Sequence, residues 1–525
     1  MVGILLLAGA LRCWRLSWGI ANGYVFPDEY WYSSVGASFV PLTWQSFLPP
    51  RLYYPTLFDH LVGGTVALAY RLGYPQHPPN PLSTESVLIA RGISAGLSIL
   101  TVWIVGHLAA RLYGRRAGVV AALLLAVAPL HVVYGPSAST DTLLTMCFAL
   151  AIWAGYRLAL AGAAWRAALT GGLAGCALAS KYTGLAAIAI LGWAVAEQFT
   201  QRRSLRWALR LTVVGLATFG GAFAIGCPAC LIRWDLARDA IAMHSAFTMN
   251  PAFAKGFLNN HLVPLLGWYG RPYLFQLVAL FPFTLGWPLY GACLVGVAVA
   301  LRRRTIADRV LFAAAIPYFV VIGRAQVCFP RYLLPLVPAL VIWAARAVCG
   351  LRPRACIALV GGIAIYSGVL SITLVEHFST QQHKAVADWI AEAAAHRDGR
   401  GGGVIHVAVP SLPLDYFGIA HQLQLLRRPD IAYLPVTDGH WLDQRPEMFV
   451  LPEFYDVAIR RDRPGSPEAR ELDSLTSGRA GYRAAARWPA PGYLQRSLYT
   501  YLDPGLGCDI WLGFTVFVRP DVFPG

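Results

Sequence analysis

Apolar stretches long enough to cross a bilayer recur from the N-terminus to about residue 375 and then stop. A span needs roughly 17–25 predominantly apolar residues. Candidate spans lie at about 3–20, 56–72, 87–112, 117–134, 141–161, 166–180, 183–199, 208–228, 273–300, 309–323, 332–349 and 355–375. Only 13% of the chain is charged, about half the share usual in soluble domains. The fold class expected is a polytopic α-helical membrane protein of about 11–13 transmembrane helices. A small C-terminal α/β extracytoplasmic domain follows the last span.

Charge divides at the same point. Residues 376–525 hold 15 Lys and Arg against 18 Asp and Glu, a net of −3. Residues 1–375 hold 28 basic and 9 acidic residues, a net of +19. The basic character therefore belongs to the membrane part, which argues against nucleic acid and for positive-inside loops and anionic lipid phosphate. Clusters at Arg202, Arg203, Arg206 and Arg210, at Arg302 to Arg304, and at Arg352 and Arg354 mark the cytoplasmic side. Loops 229–272 and 324–331 and the C-terminal region then fall outside the cytoplasm. Twelve spans would return the C-terminus to the N-terminal side, so one assignment must differ. The short 56–72, with Asp59 and His60, and the break at Ser180-Lys181-Tyr182 are the two candidates.

The first segment reads as a retained span, because no small-x-small cleavage site follows it. The expected location is the inner (plasma) membrane. Between the first two segments, loop 21–55 is rich in aromatics, with Trp31, Trp44, Tyr53 and Tyr54 as interfacial anchors. Nine of ten cysteines lie in residues 1–375, mostly in apolar segments, where Cys packs as a small hydrophobe. Cys227-Pro-Ala-Cys230 has redox spacing without the strand–helix surroundings of a redox motif, so packing explains it better. From Glu376 the pattern becomes that of a soluble domain. His383 to Ala395 has helical periodicity, and Gly399 to Gly403 leads into the strand-like Val404 to Val409.

The most conspicuous polar feature is Asp28-Glu29, in Tyr24-Val-Phe-Pro-Asp-Glu-Tyr-Trp-Tyr32. Pro followed by acids also fits an ordinary helix start. Acid flanking a membrane is costly, however, and marks a functional-site candidate. A carboxylate there can take a proton from an acceptor hydroxyl or ligate a metal that neutralises a leaving phosphate. Glycosyl transfer requires such a group, since its transition state resembles an oxocarbenium ion.

Leu11-Arg-Cys-Trp-Arg-Leu16 and Phe26-Pro-Asp-Glu-Tyr30 together resemble the opening of integral-membrane C-type glycosyltransferases. The nearest resemblance is to glycosyltransferase family 39, which includes protein O-mannosyltransferases and lipid A aminoarabinose transferases. Further stretches are similar in collinear order: Tyr53-Tyr-Pro-Thr-Leu-Phe58; Arg91; Tyr113-Gly-Arg-Arg-Ala-Gly118; Ala128-Pro129; Ser137-Ala-Ser-Thr-Asp141; Gly175-Cys-Ala-Leu-Ala-Ser-Lys181; and Pro330-Arg-Tyr-Leu-Leu-Pro-Leu-Val-Pro338. Two departures stand out. Tyr53-Tyr54 replaces the Glu-Lys of the aminoarabinose enzymes, and the His-Pro-Pro of the protein mannosyltransferases is missing at Tyr54-Pro-Thr56.

The resemblance implies a hexosyl- or pentosyltransferase that uses a polyprenyl-phosphate sugar donor and a lipid, glycan or protein acceptor. Asp28 is then the candidate base, with Glu29 as its partner or a metal ligand. Asp141, Lys181, Tyr54, Arg271 and Arg331 are the candidate substrate-binding residues, with Lys181 and the arginines meeting donor phosphate. His244 and His261 are secondary candidates, and Asp59-His60 reads as a packed polar pair. No His/Asp spacing demands a metal, although a divalent Mg or Mn ion suits the chemistry. A transporter or flippase of lipid-linked sugar would share the spans, broken helices and buried charges. No inverted repeat is visible, and a C-terminal soluble domain has little use in a transporter.

Overall fold

The computed structural model describes residues 1–14, 16–18, 20, 27–74, 84–249, 272–325, 329–379, 382–396, 403–410, 423–424, 426–436, 442–462, 464–489 and 513–523. Contacts divide the chain into two units, the first comprising Met1–Ser17, Asp28–Asn250 and Gly270–Val375 and the second the remainder, including Glu376–Gly525. The first is helical. Its elements run α1 (Val2–Cys13), α2 (Pro27–Ser38), α3 (Leu57–Arg71), α4 (Thr84–Tyr113), α5 (Arg115–Val127), α6 (Pro129–Val133), α7 (Thr140–Leu160), α8 (Ala164–Ser180), α9 (Ile188–Arg202), α10 (Leu205–Gly226), α11 (Pro228–Ile232) and α12 (Trp234–Met249). Further helices include Trp287–Arg303, Ile306–Gly323, Val337–Cys349 and Pro353–Ser379.

Among the described residues, seven helical segments are long and apolar enough to cross a membrane. The expected spans at 3–20, 56–72, 117–134, 166–180 and 273–300 are shorter or interrupted. The segment at 56–72 is a helix of 15 residues and that at 166–180 one of 17. Pro129 opens a new helix and divides 117–134. Gly286, at φ 76°, lies between two helices within 273–300. Each break follows from a residue that cannot continue a helix without loss.

α7 shows how a span ends at the polar site. Ser139 Oγ accepts from Asp141 N and starts the helix. Its 21 residues rise about 31 Å, enough for a hydrocarbon core of about 30 Å. Asp141 and Arg157 therefore stand toward opposite ends. α8 returns and stops at Ser180, because Lys181 is extended at φ −158° and ψ 143°. A 3₁₀ turn, Tyr182–Ala187, then leads into α9.

α8 lies tightly on α10 through Gly171 and Gly175, four residues apart. A Cβ at Gly171 would meet Gly215 O at 2.0 Å, and one at Gly175 would meet Phe219 O at 2.3 Å. Small residues at this spacing let helix backbones touch, which is how spans associate where lipid removes the hydrophobic drive.

The second unit carries a five-stranded sheet of β1 (Ile405–Pro410), β2 (Ile431–Val436), β3 (Met448–Pro452), β4 (Arg483–Trp488) and β5 (Phe514–Val518), in the order β2-β1-β3-β5-β4. β1 pairs in parallel with β2 and β3, while β5 is antiparallel to β3 and β4. Residues alternate between two buried faces. Val407, Val450 and Val516 pack under Val386 and Ile390 of helix Gln382–Ala395, and Phe449, Leu451 and Phe517 pack on Tyr455 and Leu472. Continuous apolar strands of this kind belong to sheets covered on both sides, so the α/β expectation holds.

Gly175→Leu should lower stability by about 1–3 kcal/mol, the usual cost of overpacking. Gly172→Leu, where a Cβ meets nothing within 4 Å, should be near neutral. Thermal melting in detergent checks the contrast.

Candidate active site

Two clusters of the helical unit hold most of the described residues that the sequence singled out. The first centres on Glu29. Its carboxylate accepts from Arg91 Nε at 2.9 Å and Arg91 Nη2 at 2.7 Å, and from the backbone N–H of Ala138 at 3.0 Å. Arg91 Nη1 also donates to Leu16 O at 2.9 Å. Both side chains are buried, at 0% and 1% exposure. This one ion pair joins the first turn of α2 to α4, to the turn after α1 and to the segment that leads into α7. The backbone of Asp28 is thereby placed in the first turn of α2; its side chain lies outside the description.

The second cluster centres on Lys181. Nζ donates to both oxygens of Asp141, at 2.8 and 2.9 Å. It also lies 4.6 Å from the ring centre of Tyr332 and 5.2 Å from that of Tyr54, where the ring faces favour a cation. Arg331 Nε stands 3.9 Å from Asp141 Oδ2, and its guanidinium covers the Phe329 ring at 4.7 Å. His244 stacks on Tyr54 at 4.9 Å and contacts Tyr53 O through Nε2 at 2.6 Å. The cluster thus draws on the loop before α3, the start of α7, the end of α8, α12 and the 330–336 turn.

Local sequence explains why these groups converge. Lys181 can reach Asp141 because the chain is extended between α8 and the 3₁₀ turn. Pro330 and Pro335 shape residues 330–336 into a 3₁₀ turn, which presents Arg331 and Tyr332. The turn is held by Tyr318, whose hydroxyl donates to Tyr332 O at 3.0 Å and whose ring packs on Phe148. Among the described residues, the cations of Lys181 and Arg331 both lie close to the Asp141 carboxylate. Fixed cations in a low-dielectric site can stabilise negative charge on a ligand.

Of the residues singled out in the sequence, the structure brings Tyr54, Asp141, Lys181 and Arg331 together, with His244 at their edge. Glu29 lies in the neighbouring cluster. Arg271 and His261 lie outside the described residues. Asp59 accepts from Trp31 Nε1 at 3.1 Å, and His60 packs on Phe39 and Phe47, so these two hold α2 and the loop after it against α3. Tyr332 escaped sequence reasoning, although it is part of the Arg-Tyr pair that drew attention to Arg331. Arg12 also escaped it: its guanidinium donates to the carbonyls of Leu125 and Ala126 and meets His131 Nδ1 at 2.7 Å. The signal was an arginine inside an apolar span. Among the described residues, no three His, Cys, Asp or Glu side chains converge as a metal site would require.

The fold and the site define a multi-pass helical membrane protein with a buried, cation-rich aromatic cluster at one end of its spans. Residues 82–222 match the family model described as dolichyl-phosphate-mannose-protein mannosyltransferase. No curated protein sequence matches the chain. Among solved structures, ArnT from Cupriavidus metallidurans bound to undecaprenyl phosphate shares 16% identity with a TM-score of 0.48, over 88% of this chain and 95% of that one. The Archaeoglobus fulgidus oligosaccharyltransferase in its apo form shares 13% with a TM-score of 0.45, over 78% and 62%. The S. cerevisiae protein O-mannosyltransferase Pmt1-Pmt2 complex bound to the sugar donor shares 17% with a TM-score of 0.34, over 50% and 35%.

Removing one partner of the Glu29–Arg91 pair should be far worse than removing both. Arg91→Met strands a buried carboxylate and should cost about 3–5 kcal/mol, whereas replacing both charges with apolar residues is often tolerated. Denaturation of Arg91→Met and of Arg91→Met with Glu29→Leu checks this, with the double variant expected to recover most of the loss.

Proposed function

We propose that the protein transfers a sugar from a polyprenyl-phosphate donor to an acceptor hydroxyl at the extracytoplasmic face of the membrane, with inversion. The observation that carries this reading is the Asp141–Lys181–Arg331 cluster lined by Tyr54 and Tyr332, set within a unit whose segment 82–222 matches a family of lipid-phosphate sugar transferases. The reaction cleaves the bond between sugar C1 and the phosphate oxygen and forms a bond from C1 to the acceptor oxygen. Asp28 takes the acceptor proton. Attack opposite the departing phosphate inverts C1.

Negative charge grows on the phosphate oxygen as the bond breaks. Lys181 and Arg331 stabilise it, because fixed cations in a water-poor site need little reorganisation. Asp141 holds Lys181 in place. Tyr54 and Tyr332 offer faces for the sugar as well as for the cation. Glu29 acts at one remove: paired with Arg91, it fixes the helix turn that carries Asp28.

The facing follows from charge. Arg157, Arg166, Arg202, Arg203, Arg206 and Arg210 cluster where α7 and α9 end and α8 and α10 begin. The positive-inside rule assigns that end to the cytoplasm, which leaves Asp141 and Lys181 on the other side. A hexose or a pentose fits these terms equally, because the cluster recognises the phosphate.

Asp28→Asn should express and melt like the parent while losing sugar transfer by roughly 100- to 10,000-fold, the usual worth of a general base. Transfer from a radiolabelled polyprenyl-phosphate sugar in membrane vesicles measures it, and retained transfer would remove Asp28 from the reaction. Lys181→Met should instead weaken binding of polyprenyl phosphate, read by titration of the purified protein.

A further inference from the structure

At Cys227 the backbone leaves the helix, with φ −144° and ψ 67°, closing α10 and opening the short α11 at Pro228. The corner brings Cys227 Sγ and Cys230 Sγ to 2.8 Å. Both residues are buried, at 0% and 2% exposure, in a cluster with Leu52, Ala179 and Tyr182. Thr56 Oγ1 donates to Gly226 O at 3.3 Å, and a Cβ at Gly226 would meet Ala179 Cβ at 2.7 Å. The buried hydroxyl of Tyr182 lies beside Cys230. The two thiols thus lie against Thr56, two residues after Tyr54, and against Tyr182, the residue after Lys181.

We propose that Cys227 and Cys230 are joined by a disulfide in the mature protein, and that this bond clamps the α10–α11 corner under Tyr54 and Lys181. A disulfide S–S bond is about 2.05 Å, so the sulfurs need approach by only about 0.8 Å. Each thiol gives up its hydrogen. One thiolate attacks a disulfide of an exchange protein, and the other resolves the mixed disulfide. The partner leaves as a dithiol carrying the two electrons and two protons. The proposal rests on the extracytoplasmic assignment of this end, since disulfides persist in oxidising compartments. Burial of both sulfurs places the exchange before the helices close, which makes the bond a permanent fastener and not a cycling centre.

Differential alkylation of the full-length protein tests this. The protein is unfolded in dodecyl sulfate with excess iodoacetamide and no reductant, then digested with trypsin. The peptide from Leu211 to Arg233 carries both cysteines and no other. It is expected unalkylated and two hydrogens lighter than the dithiol, and doubly alkylated after reduction. A doubly alkylated peptide without reductant overturns the disulfide. Sugar transfer measured in the same membranes separates the two readings: free thiols with intact transfer overturn the disulfide alone, and a disulfide without transfer overturns the enzyme reading alone. The clamp has its own readout. The Cys227→Ser, Cys230→Ser variant should bind polyprenyl phosphate several-fold more weakly, and unchanged binding overturns the clamp.

Discussion

The Glu29–Arg91 ion pair is the contact on which the site depends. A lone charge in a low-dielectric interior is costly, and removing either partner would leave the other uncompensated. Glu29 also accepts from Ala138 N, and Arg91 donates to Leu16 O. Four separate parts of the chain are therefore held to one another by groups that have no alternative partner in lipid. Among them are the turn that carries Asp28 and the segment that leads to Asp141.

The same constraint repeats along the bundle. Lys181 meets Asp141 at one end of α7 and α8, and Asp308 meets Arg346 and Tyr113 where Ile306–Gly323 begins. Arg12 donates to the last carbonyls of α5, groups that the end of a helix leaves without partners. Close glycine contacts between α8 and α10 set the helix spacing, and the ion pairs set which ends converge. The Lys181 cluster differs in bringing Lys181, Arg331 and two tyrosine rings together around Asp141. Such a grouping suits a ligand that combines a phosphate with a ring.

Much of this was legible in the chain. Lys181 stood out because it breaks an apolar stretch, where a charge is expensive, and Asp141 and Arg331 because the stretches around them resemble a family pattern. The first strand of the C-terminal region was likewise readable, in Val404 to Val409. The span boundaries were less so. Apolar composition alone does not reveal that Pro129 and Gly286 break their segments, nor that 56–72 forms only a 15-residue helix. Within 229–272, read from charge only as a loop outside the cytoplasm, α12 supplies His244 to the ring of Tyr54.

By itself, the sequence determined that the chain crosses a membrane, which end of its spans is basic, and that a soluble α/β region follows. These are sums over composition and periodicity, which need no partner. It also made Asp28 and Glu29 conspicuous as a pair. Only the tertiary structure separated Glu29 from that pair, by giving it Arg91, a residue 62 positions away. It likewise joined Lys181 to Asp141 across 40 positions and turned Tyr54 and Tyr332 toward the same ammonium. The reason is physical: a buried charge is satisfied by whichever opposite charge the packing brings near, and that choice is made by helix contacts far apart in the chain.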